Sequence, residues 1–175
     1  MNHHPTSDKD GIAHYERDVT EQDRLAQDAM GRLEWLRTRE ILARYLPPPP
    51  AMVLDVGGGA GAYALPLARQ GYSVHLVDPV SRHVEQARAA SLAQPEYPLA
   101  DAIVGDARAL PYADASADAV LMLGPLYHLT QHSARLEALS EARRIDTPPR
   151  RTGGRRGDQQ IRILVRRPRA RVPRR

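Results

Sequence analysis

Apolar and polar positions along this chain change rhythm at the four prolines 47–50. Before them, Leu25, Ala29, Leu33 and Leu36, then Ile41, Leu42 and Tyr45, recur at the three-to-four-residue spacing of one helix face. Thr20 with Asp23 three residues on forms a capping start, in which a hydroxyl and an acid serve the free amides of the first turn. The prolines end the segment, because proline supplies no amide and clashes with the preceding turn. The spacing predicts one helix, or two joined, over about 20–45, weakened but not broken by Gly31. Residues 1–19 lack this rhythm and read as a mobile arm.

After the prolines, short apolar runs alternate with helical segments. Residues 52–56, 73–77, 102–104 and 119–123 read as strands, and 63–70, 81–92 and 133–144 as helices. Helix 81–92 is expected to turn His83, Glu85 and Arg88 to its wetter side. Strands separated by helices pair in parallel through right-handed crossovers, which is the α/β class. The expected fold is a parallel α/β sheet of about four strands with helices on both faces, behind an N-terminal helical segment. The expected organisation is an arm at 1–19, a cap at 20–46, an α/β domain at 51–144 and an Arg-rich tail at 145–175.

Charge divides the chain in the same place. Residues 143–175 hold 13 Arg and 2 Asp, whereas the first 142 residues hold 12 basic and 19 acidic side chains. The net charge of +4 therefore hides an acidic body and a basic tail. Zero cysteines exclude a disulfide scaffold and any thiolate metal site, and no metal is expected. No apolar run approaches the roughly 20 residues of a membrane span, and the polar start lacks a signal-peptide core. The expectation is a soluble, cytoplasmic protein with no membrane partner.

The chemistry is concentrated in Asp55-Val56-Gly57-Gly58-Gly59-Ala60-Gly61, between a strand and a helix. Glycines there permit a tight turn and close approach of a ligand to the backbone. A dinucleotide loop reads G-x-G-x-x-G and faces a pyrophosphate. Here Gly57, Gly59 and Gly61 follow G-x-G-x-G, and Asp55 beside the loop suits a cationic ligand better than a phosphate. The segment from Val53 to Gly61 resembles motif I of the class I S-adenosylmethionine-dependent methyltransferases. Three further pieces resemble that family in order: Val77-Asp78 closing the second strand, Gly105-Asp106-Ala107 after the third, and Asp118 to Leu123 along the fourth.

The resemblance implies a Rossmann-like parallel sheet with helices on both faces, incomplete here at about four strands, behind an N-terminal helical cap, and it implies roles. Gly57, Gly59 and Gly61 would cradle the methionine part of S-adenosylmethionine, with Asp55 organising the loop and helping its amino group. Asp78 would accept the ribose hydroxyls, Asp106 with Ala107 would hold the adenine, and Leu123 would end the strand beside the transferred methyl. Methyl transfer from a sulfonium is an in-line displacement that needs chiefly positioning and exclusion of water. Tyr127 and His128, just past the fourth strand, are candidates for the acceptor pocket and for a general base; the competing reading is that both merely start the next helix. Tyr15 resembles a lid aromatic, and His3 and His4 read as solvated.

The tail breaks the grammar. In the family a Pro-Gly-Gly turn and further strands follow the last helix; here only 161–165 has strand character, with Arg162 inside it and Arg166 after it. Two readings stand. One is a polybasic arm that binds phosphate backbones. The other is a shifted reading frame or truncation after about residue 144, since reading 149–167 from the second codon base permits a Pro-Gly-Gly turn and an apolar strand. The combined expectation is a methyltransferase acting on a small-molecule acceptor, because the acidic body repels nucleic acid except non-specifically through the tail. A nicotinamide-dependent oxidoreductase and a non-catalytic nucleic-acid binder are the alternatives.

Overall fold

The computed structural model describes residues 29–146 and, as backbone, 163–165. The arm, the Thr20 cap, Tyr15, Leu25 and the rest of the tail lie outside the described residues. Helix α1 (Ala29–Tyr45) runs through a buried Gly31 and stops just before the prolines. It buries Thr38 and Leu42 and leaves Met30, Leu33, Leu36, Ile41 and Tyr45 about half exposed. No helix among the described residues is long and apolar enough to cross a membrane.

Strands β1 (Met52–Val56), β2 (Ser73–Asp78), β3 (Asp101–Val104) and β4 (Ala119–Met122) all pair in parallel. The one tail segment with strand character supplies a short fifth, β5 (Ile163–Val165), on the open edge of β4. The order is β3-β2-β1-β4-β5. The central strands β1 and β4 are almost wholly apolar and buried because both faces of the sheet are covered there, whereas edge strand β3 exposes Asp101 and Val104. On one face Val53, Val74, Leu76, Ala119 and Leu121 pack against Leu42 of α1, helix α2 (Ala64–Ala68) and Val84 and Ala87 of α3 (Ser81–Leu92). On the other, Leu54, Val56, Val77, Val120 and Met122 meet Ala138, Ala142 and Ile145 of α5 (His132–Ile145). Between β4 and α5 lies the one-turn helix α4 (Pro125–His128), so Tyr127 and His128 belong to a separate turn and do not begin the long helix.

The link from β3 to β4 is stapled to α5. Arg144 donates to the Tyr112 and Leu110 carbonyls at 2.7 and 3.1 Å and pairs with Glu141 and Asp114 at 2.8 Å. Glu141 in turn accepts from the Leu110 amide at 2.9 Å. These bonds hold the Glu141 carboxyl below the usual carboxylate range and push the Arg144 guanidinium further up. Arg144, the second residue of the Arg-rich tract, thus serves the body of the fold. The packed body also includes Ile145, fully buried, and Asp146, which bridges to Ala117.

One sequence expectation is corrected. His83 does not lie on the wet side of α3: it is buried, and its Nδ1 stands 3.1 Å from Asp78 Oδ1. The buried stripe of the helix is His83, Val84, Ala87 and Ser91, one helical face on which a polar ring is accepted because it has a partner.

Candidate functional site

The chain leaves β1, extends the sheet through β2 to β3, and returns to the other side of β1 as β4. Such a reversal opens a crevice at the C-terminal ends of the strands, where open α/β sheets bind ligands. All four motif pieces meet at this edge. The Gly57 amide donates to the Val77 carbonyl at 2.7 Å, and the Gly105 amide to the Asp78 carbonyl at 3.1 Å. Pro125 sits on Gly57: a Cβ there would lie 2.6 Å from Pro125 Cγ.

The glycine loop is wound left-handed at three places, with φ of +70° at Gly57, +56° at Gly59 and +89° at Gly61, values costly for any residue with a side chain. Gly58 is required for a different reason. A Cβ there would stand 2.8 Å from Asp55 Oδ2 and 2.9 Å from Leu76 Cδ1. Each glycine therefore has a reason within the protein itself, so the glycine count does not by itself announce a ligand.

Asp55 does. It lies in β1 between Leu76 and Leu121, 1% exposed, and its Oδ2 is buried with no hydrogen-bond partner. Desolvation, assisted by the nearby charge of Asp78, pushes its pKa from 3.8 up to about 7. A carboxylate buried without a partner is costly and calls for a cation or donor from outside the fold. Asp78, at the C-terminal end of β2 and 5% exposed, accepts from the Gly59 amide at 2.8 Å and the Val80 amide at 3.0 Å, besides facing His83.

Asp106 is placed on the same edge but is already engaged. Its Oδ1 accepts from the Arg108 amide at 2.8 Å, and the Arg108 guanidinium grips both oxygens, Nε at 3.0 and 3.1 Å and an NH2 group at 2.6 Å. That fork holds the Asp106 carboxyl below its ordinary pKa. Ala107 packs beneath it on the α5 side of the sheet, and Leu123 packs at the margin of the opposite core. Tyr127 is half-buried with its ring edge-on to His128, centroids 6.5 Å apart, whereas His128 is exposed.

The edge thus gathers Asp55, Asp78, Asp106 and the glycine loop. His83 and Arg108 were not nominated from sequence. A signal for His83 existed, since it lies five residues past Asp78 in the first turn of the following helix, within reach of the strand end. A cavity of about 370 Å³ between α1 and α2, lined by Leu36, Leu42, Tyr63, Leu67 and Tyr72 among others, includes none of the nominated residues.

These residues fit a cationic adenosyl ligand. The orphan Asp55 oxygen has the chemistry to accept from an ammonium, and the Asp78 carboxylate has the chemistry to accept from hydroxyls. A dinucleotide fits worse, because its pyrophosphate would face two carboxylates under one loop.

Comparison with known proteins points the same way. The family described as methyltransferase domain matches residues 53–148. No curated protein sequence matches the chain. Among solved structures, an S-adenosylmethionine-dependent methyltransferase from Methanosarcina mazei is 28% identical with TM-score 0.55, covering 62% of this chain and 52% of that one. Two others resemble the fold at lower identity. A methyltransferase dependent on the same cofactor from Aquifex aeolicus is 22% identical, TM-score 0.57, covering 73% of this chain and 68% of its own. Magnesium protoporphyrin IX methyltransferase from Synechocystis, solved with S-adenosylmethionine bound, is 19% identical, TM-score 0.66, covering 86% and 80%. The chain spans about half the length of the Methanosarcina protein. This chain belongs to the methyltransferase-domain family, and its architecture is that of the class I S-adenosylmethionine-dependent methyltransferases.

Proposed function

We propose that this chain binds S-adenosylmethionine at the C-terminal edge of its sheet and transfers the methyl group to a small-molecule acceptor. The observation that carries this reading is the wholly buried, unpartnered Oδ2 of Asp55 beneath a left-handed glycine loop. Asp55 would receive the ammonium of the methionine part, and the loop amides its carboxylate. Asp78 would hold the ribose. Asp106 would hold the adenine amino group through an acceptor direction that the Arg108 fork leaves open on its two oxygens, and the Ala107 backbone would lie beside the ring. The cofactor supplies an electrophilic methyl on sulfur; the protein supplies placement and dryness.

The acceptor would enter over α4, where Tyr127 would line the wall and exposed His128 would be the base for acceptors that must lose a proton. A small acceptor is favoured because the first 142 residues carry 19 acidic against 12 basic side chains, a field that repels nucleic acid. Isothermal titration tests the reading. Saturable heat with S-adenosylmethionine and S-adenosylhomocysteine, and none with NAD or NADP, is expected. The reverse pattern would establish the oxidoreductase alternative, and loss of all nucleic-acid binding on deleting 147–175 would assign any such binding to the tail alone.

A further inference from the structure

The Asp78 carboxylate is gripped from three sides, and one grip is optional. The Gly59 and Val80 amides are backbone and come with the fold. The third contact is a side chain: His83, projected from the first turn of α3 over the end of β2, with Nδ1 3.1 Å from Oδ1. The pair is nearly sealed, the His83 and Asp78 side chains being 11% and 7% exposed. A carboxylate only accepts, so the shared hydrogen belongs to Nδ1. Val80 and His83 both meet Oδ1, which turns Oδ2 onto the Gly59 amide and so couples α3 to the glycine loop through one carboxylate. Two carboxylate oxygens offer about four acceptor directions, so with three taken at least one is left for a sugar hydroxyl.

Resting on the function proposed above, we propose that His83 is a positioning residue for cofactor capture: it donates Nδ1–H to Asp78 and fixes the carboxylate plane, so that loop and ribose acceptor are set before the ligand arrives. Its role is exerted through Asp78. Without the imidazole donor, the carboxylate turns about its last side-chain bond and gives up its hold on Gly59, and ordering that group is then charged to binding. A ring that served only as core filler would be replaceable by any side chain of similar volume.

The distinction is experimental. S-adenosylhomocysteine is titrated into the wild-type chain, His83→Leu and His83→Asn, with melting temperatures recorded for all three. Asparagine carries an amide donor near the Nδ1 position and leucine carries none. The expected result is a loss of about tenfold or more in affinity for His83→Leu, the size of one hydrogen bond to a charged group, and recovery to within about threefold of wild type for His83→Asn. Two variants that bind alike overturn the proposal. Should His83→Leu fail to fold, nitrogen-15 spectra of the wild-type imidazole decide: a proton on Nδ1 supports the assignment, and a neutral ring protonated only at Nε2 overturns it. A wild-type chain that binds no S-adenosylhomocysteine sinks the methyltransferase reading itself, a result separable from any comparison between variants.

Discussion

Asp55→Asn removes a buried charge at constant shape, and its consequence should depend on pH in a calculable way. In the folded chain burial raises the Asp55 pKa from 3.8 to about 7. Between those limits the native state keeps a proton that the unfolded chain has released, so proton uptake favours folding and stability falls as pH rises through the window. A rise of about three units at 1.36 kcal/mol each makes ionised Asp55 cost about 4 kcal/mol once the pH exceeds 7. Asparagine does not titrate, so the variant should match wild type near pH 4 and gain steadily to pH 7 and above. With a urea m-value of about 1–3 kcal/mol per molar, the midpoint of Asp55→Asn should exceed that of wild type by at least about 1 M at pH 8. His75 contributes with the opposite sign. Burial lowers its pKa, so the unfolded chain takes up protons first and stability rises with pH toward 6.5. That slope is common to both proteins and cancels in their difference. Urea titrations of the two chains at pH 5, 6, 7 and 8.5 give the difference directly. A gap that stays constant across this range would show that Asp55 is either ionised throughout or satisfied by a donor, and the argument for its orphan oxygen would fail.

Three further outcomes are expected. Asp78→Ala should abolish S-adenosylmethionine binding and also lower the melting temperature, since it strips partners from Gly59, Val80 and His83 at about 1–3 kcal/mol each; normal affinity by titration calorimetry would make Asp78 a turn residue only. Gly59→Val, at φ +56°, should cost about 1–2 kcal/mol or more in backbone strain and block the cofactor, whereas Gly58→Ala should act differently, disturbing the fold through Asp55 2.8 Å away; an unchanged urea midpoint in either variant would contradict the loop geometry. Arg144→Ala should free the 110–115 segment from α5 and lower the melting temperature, with faster hydrogen exchange at Ala115 and Ala117; exchange equal to wild type would show that the Arg144 network is incidental.

Much of this architecture is written in local pattern. A strand covered on both faces is mostly apolar, so Met52, Val53, Leu54 and Val56 mark β1 with Asp55 as its one polar interruption, and helix 81–92 announces itself through its alanine-rich periodicity between Pro79 and the Pro95 turn. Glycines and prolines mark the breaks because their backbone constraints act within one or two residues. The motif acids could be nominated for the same reason, each standing at or beside a strand end within two residues of a glycine or proline. What sequence pattern could not supply was the state of each polar side chain, because that depends on a partner delivered by another element. His83 looked like a solvated residue until α3 laid it on Asp78. Asp106 is the exception, since its partner Arg108 lies two residues on in the same loop, within reach of a sequence reading. Arg144, read as the last residue of helix 133–144, showed no partner until α5 carried it to the Tyr112 carbonyl, and Gly58, which the cradle of Gly57, Gly59 and Gly61 left without a role, is required by Asp55 beneath it. Burial of apolar surface is read from one segment's own rhythm, whereas satisfaction of a hydrogen bond is a property of two segments. Only the packed sheet brought those segments together, and only it left Asp55 without a partner.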